Sequence, residues 1–88
     1  MTREVLSSPE AARGALERVV ASSPLAAAVH LKNFLRYIVE ETLAGRADRV
    51  KEYAIGVEVY RRGADFNPKV DAIVRVEAGR LRAKLTEY

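Results

Sequence analysis

Four cations near the carboxyl end of the sequence have the chemistry and the spacing expected of a surface that binds a polyanion. They are Arg75, Arg80, Arg82 and Lys84, and Gly79 lies among them. The planar guanidinium group of arginine can donate two hydrogen bonds at once, either to a phosphate or to O6 and N7 of guanine. A glycine weakens a helix by about 1 kcal/mol relative to alanine, so its presence indicates a close approach of the backbone to DNA or to a neighbouring helix.

The positive charge is concentrated in the second half of the sequence. Residues 1–44 contain five Lys or Arg and five Asp or Glu, whereas residues 45–88 contain ten and seven, so the second half carries the whole net charge of +3. A local excess of this kind is typical of a surface that contacts nucleic acid, although an ordinary solvated surface can have the same composition. Further candidates for phosphate contacts in this half are Lys51, Lys69, Arg61 and Arg62.

No group of residues in the sequence has the pattern of an enzyme active site. The chain has no cysteine and one histidine, His30, which we expect to be partly buried and structural. This composition excludes disulfides and thiolate metal sites, and it leaves no pair of histidines for a metal ion. Glu40 and Glu41 are adjacent on a predicted helix, where neighbouring side chains point about 100° apart and cannot act as an acid–base pair. We therefore expect neither catalysis nor a bound metal or cofactor.

Local signals indicate a helical chain. Four helices are predicted, at about residues 8–22, 24–44, 51–61 and 71–88, within a single domain of residues 1–88. Two Ser-Pro pairs, at positions 8 and 23, are typical of helix starts, because serine can cap free backbone N–H groups and proline fits the first turn. Gly45 is expected to end the second helix. The third segment also permits a strand, because three of its residues between 55 and 59 are β-branched.

The predicted fourth helix is amphipathic. Its apolar residues recur with helical spacing, at Val74, Ala78, Leu81, Leu85 and Tyr88. At about 100° per residue, Arg75 and Arg82 fall on one flank of this apolar face. Arg80 and Lys84 fall on the other flank. We expect the apolar face to pack on the domain and the cations to face outward, where they either contact a partner or pair with acids at helical spacing.

The last two helices and their connector are similar to a known family of DNA-binding domains. Residues 74–85, VRVEAGRLRAKL, resemble the recognition helix of OmpR/PhoB-type winged helix-turn-helix domains, which typically reads VxVxIxxLRxKL. Residues 50–55 and 59–60 resemble the positioning helix of that family, and residues 63–70 resemble its long loop. The resemblance implies that the last helix binds double-stranded DNA and that the loop is available to contact RNA polymerase.

A second resemblance concerns the longest predicted helix. Residues 34–46, FLRYIVEETLAGR, are similar to part of an N-terminal module of bacterial multidomain proteins with membrane or tetratricopeptide segments. The similarity continues through residues 51–55, 65–68 and 73–78, and it covers about residues 23–88 in all. It implies a regulator of the ToxR/CadC kind, in which a cytoplasmic DNA-binding head belongs to a larger sensor.

The sequence departs from the OmpR pattern at both ends. Domains of that family begin with a small sheet and end in a β-hairpin wing, whereas residues 1–22 are predicted to be helical and the sequence ends at Tyr88, where that wing would begin. We therefore predict a mainly α, four-helix winged-helix-like domain whose wing is absent or truncated after residue 88. Because one such domain buries little surface on DNA, we expect a homodimer or a place in a larger chain.

A partner of another class remains open. No run approaches the roughly 18 apolar residues of a membrane span, and the first residues lack the apolar stretch of a signal peptide, so we expect a cytoplasmic domain without direct membrane contact. The balanced charge of residues 1–44 favours the alternative of a helical protein–protein interaction or oligomerisation module within a larger signalling protein. A continuous positive face on the last helix would favour DNA, and an exposed apolar patch would favour a protein partner.

Overall fold

Helices account for all the regular structure in residues 8–87, the part of the chain that the computed structural model describes. The four α-helices are α1 (Pro9–Ala21), α2 (Val29–Leu43), α3 (Glu52–Glu58) and α4 (Ile73–Glu87), and a 3-10 helix (Ala47–Arg49) joins α2 to α3. No strand occurs within this range. The mainly helical prediction is thus confirmed, and the strand alternative for the third segment is wrong.

Helix α1 begins where the first Ser-Pro pair predicts. The Ser8 side chain accepts a hydrogen bond from the Ala11 backbone N–H at 3.2 Å, and Pro9 occupies the first turn. The helix packs on α2 through the buried Leu16 and Val20. An ion pair between Arg13 and Glu40, with a closest N–O distance of 2.9 Å, joins α1 and α2 at the exposed edge of this contact.

Helix α2 begins five residues later than the second Ser-Pro pair predicts, at Val29 and not at residue 24. The intervening residues 22–27 form turns, in which the Leu25 and Ala26 N–H groups both donate to the Ser22 carbonyl. These turns place the Leu25 side chain in the core, where it is completely buried at 0% exposure. Burial of one leucine therefore overrides a local helix-start signal.

The core lies between α2, α3, α4 and the two connectors that contribute Leu25 and Phe66. It is formed by the buried side chains of Leu25, Leu31, Phe34, Ile55, Tyr60, Phe66, Val74 and Leu81. Phe34 and Tyr60 meet edge to face, with ring centroids 6.0 Å apart. Because α4 shares this core with α2 and α3, the packing of these side chains determines how α4 is oriented relative to the other two helices.

The connector between α3 and α4 is held against α3 by specific contacts. The Tyr53 hydroxyl donates to the Ala64 carbonyl at 2.9 Å, and the buried ring of Phe66 lies directly on Gly56. A Cβ atom at position 56 would lie 2.6 Å from Cζ of Phe66, which is closer than van der Waals contact permits. Glycine is therefore needed at position 56 so that the connector can approach the helix.

The end of α3 and the start of α4 each differ by a few residues from the prediction. Helix α3 ends at Glu58, because Arg61 has the left-handed φ of 58° and turns the chain away. Helix α4 begins at Ile73, whose N–H donates to Oδ1 of Asp71 at 3.1 Å, and not at residue 71. Tyr88, the last predicted member of the apolar face, lies outside the described residues.

Candidate nucleic-acid interface

Helix α4 has one buried side and one exposed side. Val74 and Leu81 are buried as predicted, and Ala78 is half-buried. Leu85 lies at the margin of this side and is 38% exposed, so the apolar face is shorter than the sequence predicted. Glu77 completes the buried side, at 8% exposure, one turn after Val74 and one turn before Leu81.

The predicted cations of α4 all lie on its exposed flanks or margins, and most of them pair with acids of the same domain. Nη1 of Arg75 lies 3.2 Å from Oε2 of Glu52 on α3. Arg80 pairs with Glu77 at 3.4 Å, and Lys84 pairs loosely with Glu87 at 3.9 Å. The Arg75 and Lys84 pairs are largely exposed, and such pairs contribute only about 0–1 kcal/mol to stability, so a phosphate can replace their carboxylates at little cost. The Arg80 pair differs, because the Glu77 carboxylate is buried and would be left without a partner.

Arg82 differs from the other three cations. It is exposed, and no acidic side chain within residues 8–87 forms an ion pair with it. Arg75 lies two helical turns earlier on the same flank. Arg82 is therefore the α4 cation whose charge is most available to an anionic partner.

The structure brings three of the other predicted cations near the amino-terminal half of α4. Lys51 directly precedes Glu52, the acid that Arg75 contacts. Lys69 lies in the turn just before α4, with its N–H bonded to the Asn67 side chain at 3.0 Å. The third is Arg62, which bonds to Asp71 just before α4 at 2.9 Å.

Arg61 is separated from this group of cations, because it lines a hollow of about 300 Å³ beside Tyr37 and Glu40 of α2. Its hollow belongs to the surface between α2 and the end of α3. Arg62 is largely committed to Asp71, since its guanidinium hydrogen bond and the Ile73 N–H hold the pKa of the Asp71 carboxyl below its usual value. Asp71 therefore stays ionised at neutral pH and offsets the charge of Arg62.

Gly79 has open space around it. A Cβ atom built at this position would have only Nη2 of Arg82 as a neighbour, at 3.9 Å, which is ordinary van der Waals contact. Among residues 8–87, packing within the domain therefore does not require glycine here, and no neighbouring helix approaches it. The close-approach interpretation of Gly79 depends on a partner from outside the domain.

Two polar residues are buried in and beside α4, and the burial of one of them, Glu77, was not predicted from the sequence. Glu77 holds Arg80, and the hydroxyl of Tyr60 is buried without a hydrogen-bond partner among the described residues. Burial, with a smaller contribution from the Glu77 carboxylate, raises the pKa of Tyr60 to about 12. The spacing of Val74, Glu77 and Leu81, three and seven residues apart, could have revealed Glu77 as a member of the buried side.

His30 also differs from its prediction. Its side chain is exposed, not partly buried, and its ring lies over Tyr60 with a centroid separation of 6.0 Å. Within residues 8–87 no three His, Cys, Asp or Glu side chains gather into a group that could hold a metal ion. In the same range, no helix combines the length and the apolar character needed to cross a membrane.

Comparison with known proteins returned no match to a family model, to a curated protein or to a solved structure.

Proposed function

We propose that this domain binds double-stranded DNA without catalysing a reaction, with α4 as its recognition helix in the major groove. The observation that carries the proposal is the division of α4 into a buried side and an exposed side flanked by Arg75, Arg82 and Arg80. A helix in the major groove needs an apolar side that grips its own domain and cationic flanks that reach the phosphates. The resemblance of residues 74–85 to OmpR/PhoB-type recognition helices supports the same assignment.

The packing of α3 supports the geometry that this function requires. Helix α3, the connector and α4 share one core, and the contact of Phe66 with Gly56 fixes the connector. In this proposal the domain is winged-helix-like and belongs to a bacterial transcription regulator in the cytoplasm. The α3–α4 connector is then free to contact RNA polymerase, and a homodimer or a larger chain supplies specificity.

Salt dependence is the first test of the proposal. Fluorescence anisotropy with a random-sequence duplex at about 50 and 200 mM salt measures the release of counterions from phosphates. We expect affinity to fall steeply between the two concentrations. A folded sample that does not bind at the lower salt concentration would refute DNA binding by these residues.

Truncation of Arg82 or Arg75 to alanine is expected to weaken binding to a selected DNA site by about 1–3 kcal/mol, with little effect on the fold. Both side chains are exposed, and within the described residues 8–87 the only ion pair lost is that of Arg75 with Glu52. The matched control is Arg18→Ala, which removes an exposed arginine from α1. Equal affinity of Arg82→Ala and the control, measured by anisotropy titration, would remove Arg82 from the interface.

Substitution of Gly79 by alanine should have opposite effects on stability and on binding. The free energy of unfolding should rise by up to about 1 kcal/mol, because alanine favours the helix and its Cβ meets no obstacle. DNA affinity should fall, because the added methyl group prevents the α4 backbone from approaching the bases. Thermal melting and anisotropy on the same sample measure both quantities, and an unchanged affinity would mean that nothing approaches Gly79 closely.

A protein-interaction module is the second candidate, and the ion pairs on α4 favour it. Three of the four α4 cations already have acidic partners within the domain, which reduces the positive field. Val76, at 48% exposure, adds an apolar side chain to the outward surface. Failure to bind DNA at low salt, together with concentration-dependent association in sedimentation, would favour this second function.

A further inference from the structure

We infer that α4 recognises thymine methyl groups through Val76, while its arginines, on the flanks of the helix, bind phosphates. The inference rests on the proposed DNA-binding function and assigns the chemistry of the base contacts. It differs from the guanine contacts that arginine chemistry alone suggests, and it comes from where each side chain lies around the helix.

The surface of α4 that points away from the core has at its centre a ridge of three residues, Val76, Gly79 and Ala83. At about 100° per residue these three positions fall within about 60° of one another, opposite the buried Val74 and Leu81. Val76 is 48% exposed, and Ala83 is also exposed. This outward ridge is the part of α4 that would meet the floor of the major groove, where the base edges lie.

The three residues of the outward ridge carry no side-chain hydrogen-bond donor or acceptor. The nearest polar side chains, Thr86 and Glu87, border the ridge in the last turn of α4, and the Thr86 hydroxyl donates to the Arg82 carbonyl. Valine, glycine and alanine have only apolar side-chain atoms, so the ridge cannot form the paired hydrogen bonds that distinguish guanine or adenine. Among the features of the major groove, the C5-methyl group of thymine is the one that an apolar side chain recognises. The ridge is therefore chemically matched to thymine.

The cations of α4 lie on the two flanks of this ridge. Arg75 and Arg82 lie on one flank of the helix and Arg80 on the other. Arg75 and Arg80 are further held to the flanks by Glu52 and Glu77, at 3.2 and 3.4 Å. Side chains on the flanks of a helix in the groove face the two phosphate backbones, which form the walls of the groove. The charge arrangement thus complements a duplex centred on the outward ridge.

Gly79 is consistent with this geometry, because it lies between Val76 and Ala83 on the outward ridge. The space around it is open. A ridge without a side chain at its middle lets the helix settle deeper in the groove, which brings Val76 within contact distance of a methyl group.

Thymine-to-uracil replacement tests the inference, since it removes the methyl group and keeps every hydrogen-bonding atom and phosphate. The probes are two DNA duplexes measured by anisotropy at low salt. One has an alternating adenine–thymine sequence, and the other has the same sequence with deoxyuridine in place of every thymidine. We expect the domain to bind the thymine duplex at least about four-fold more tightly, the ratio that burial of one methyl group corresponds to. Val76→Ser should remove the preference while keeping affinity for the uracil duplex.

Val70→Ser is the matched control, because Val70 is 83% exposed but lies in the connector and not on α4. It should keep the full preference for thymine. Equal binding of both duplexes by the unmodified domain, or a preference that survives Val76→Ser, overturns thymine recognition and leaves DNA binding in place. Failure to bind either duplex overturns the proposed function itself, so the two failures are distinguishable.

Discussion

Truncation of Leu81 to alanine is expected to lower the free energy of unfolding by about 2–5 kcal/mol, as measured by urea denaturation. Leu81 is 5% exposed and belongs to the core cluster that joins α4 to α2 and α3. The lost methyl groups leave a cavity that surrounding helices fill only in part. A small domain has a total stability of about 5–15 kcal/mol, so the expected loss is a large fraction of it.

Leu85→Ala is the control for this result. Leu85 is one turn further along the same helix and carries the same side chain, but it is 38% exposed. Its truncation should cost clearly less than that of Leu81, because much of its surface already contacts water. Equal losses for the two variants would contradict the burial of Leu81 in the core.

The substitution of Gly56 by alanine is expected to destabilise the domain by about 1–3 kcal/mol, the usual cost of overpacking a core. The new Cβ would lie 2.6 Å from Cζ and 2.7 Å from Cδ2 of Phe66. Phe66 is itself 8% exposed, so its ring has little room to move aside. Relief of the overlap requires the α3–α4 connector to shift, and Tyr53 holds that connector through its bond to Ala64.

Three further variants make the Gly56 result specific. Gly79→Ala makes the same chemical change in α4, where the space is open, and should stabilise the helix. Phe66→Leu shortens the clashing ring, so the combination of Gly56→Ala with Phe66→Leu should be less destabilised than the sum of the two single changes. Thermal melting of the unmodified domain, Gly56→Ala, Phe66→Leu and the double variant measures this coupling, and strict additivity would show that the Phe66 ring does not lie on Gly56.

The same Gly56 contact links the stability of the connector to the proposed DNA contacts. Lys69 and the start of α4 follow directly from the connector that Phe66 anchors. A displaced connector would move the amino-terminal end of α4 relative to α3 and separate Arg75 from Glu52. Loss of DNA affinity in Gly56→Ala would therefore reflect altered geometry, unlike the loss expected from Arg82→Ala.

The number of helices, the burial of Val74 and Leu81 and the positions of the cations on the flanks of α4 could be predicted from the sequence, because each depends on residues only one or two helical turns apart. Val74 and Leu81 are seven residues apart, and this spacing alone places both on one side of a helix. The Ser8-Pro9 start of α1 is equally local, since the serine hydroxyl bonds to an N–H three residues away. Such features depend on backbone geometry that neighbouring residues determine themselves.

Only the tertiary structure decided where α2 begins and which of the α4 cations are already paired with acids of the same domain. The start of α2 moved to Val29 because Leu25, in the preceding turn, is buried against distant residues of the core. The pairing of Arg75 with Glu52 joins residues 23 positions apart, and the contact of Phe66 with Gly56 requires a connector that folds back on its helix. Periodicity cannot encode these contacts, because they depend on where separate helices meet and not on the spacing within any one of them.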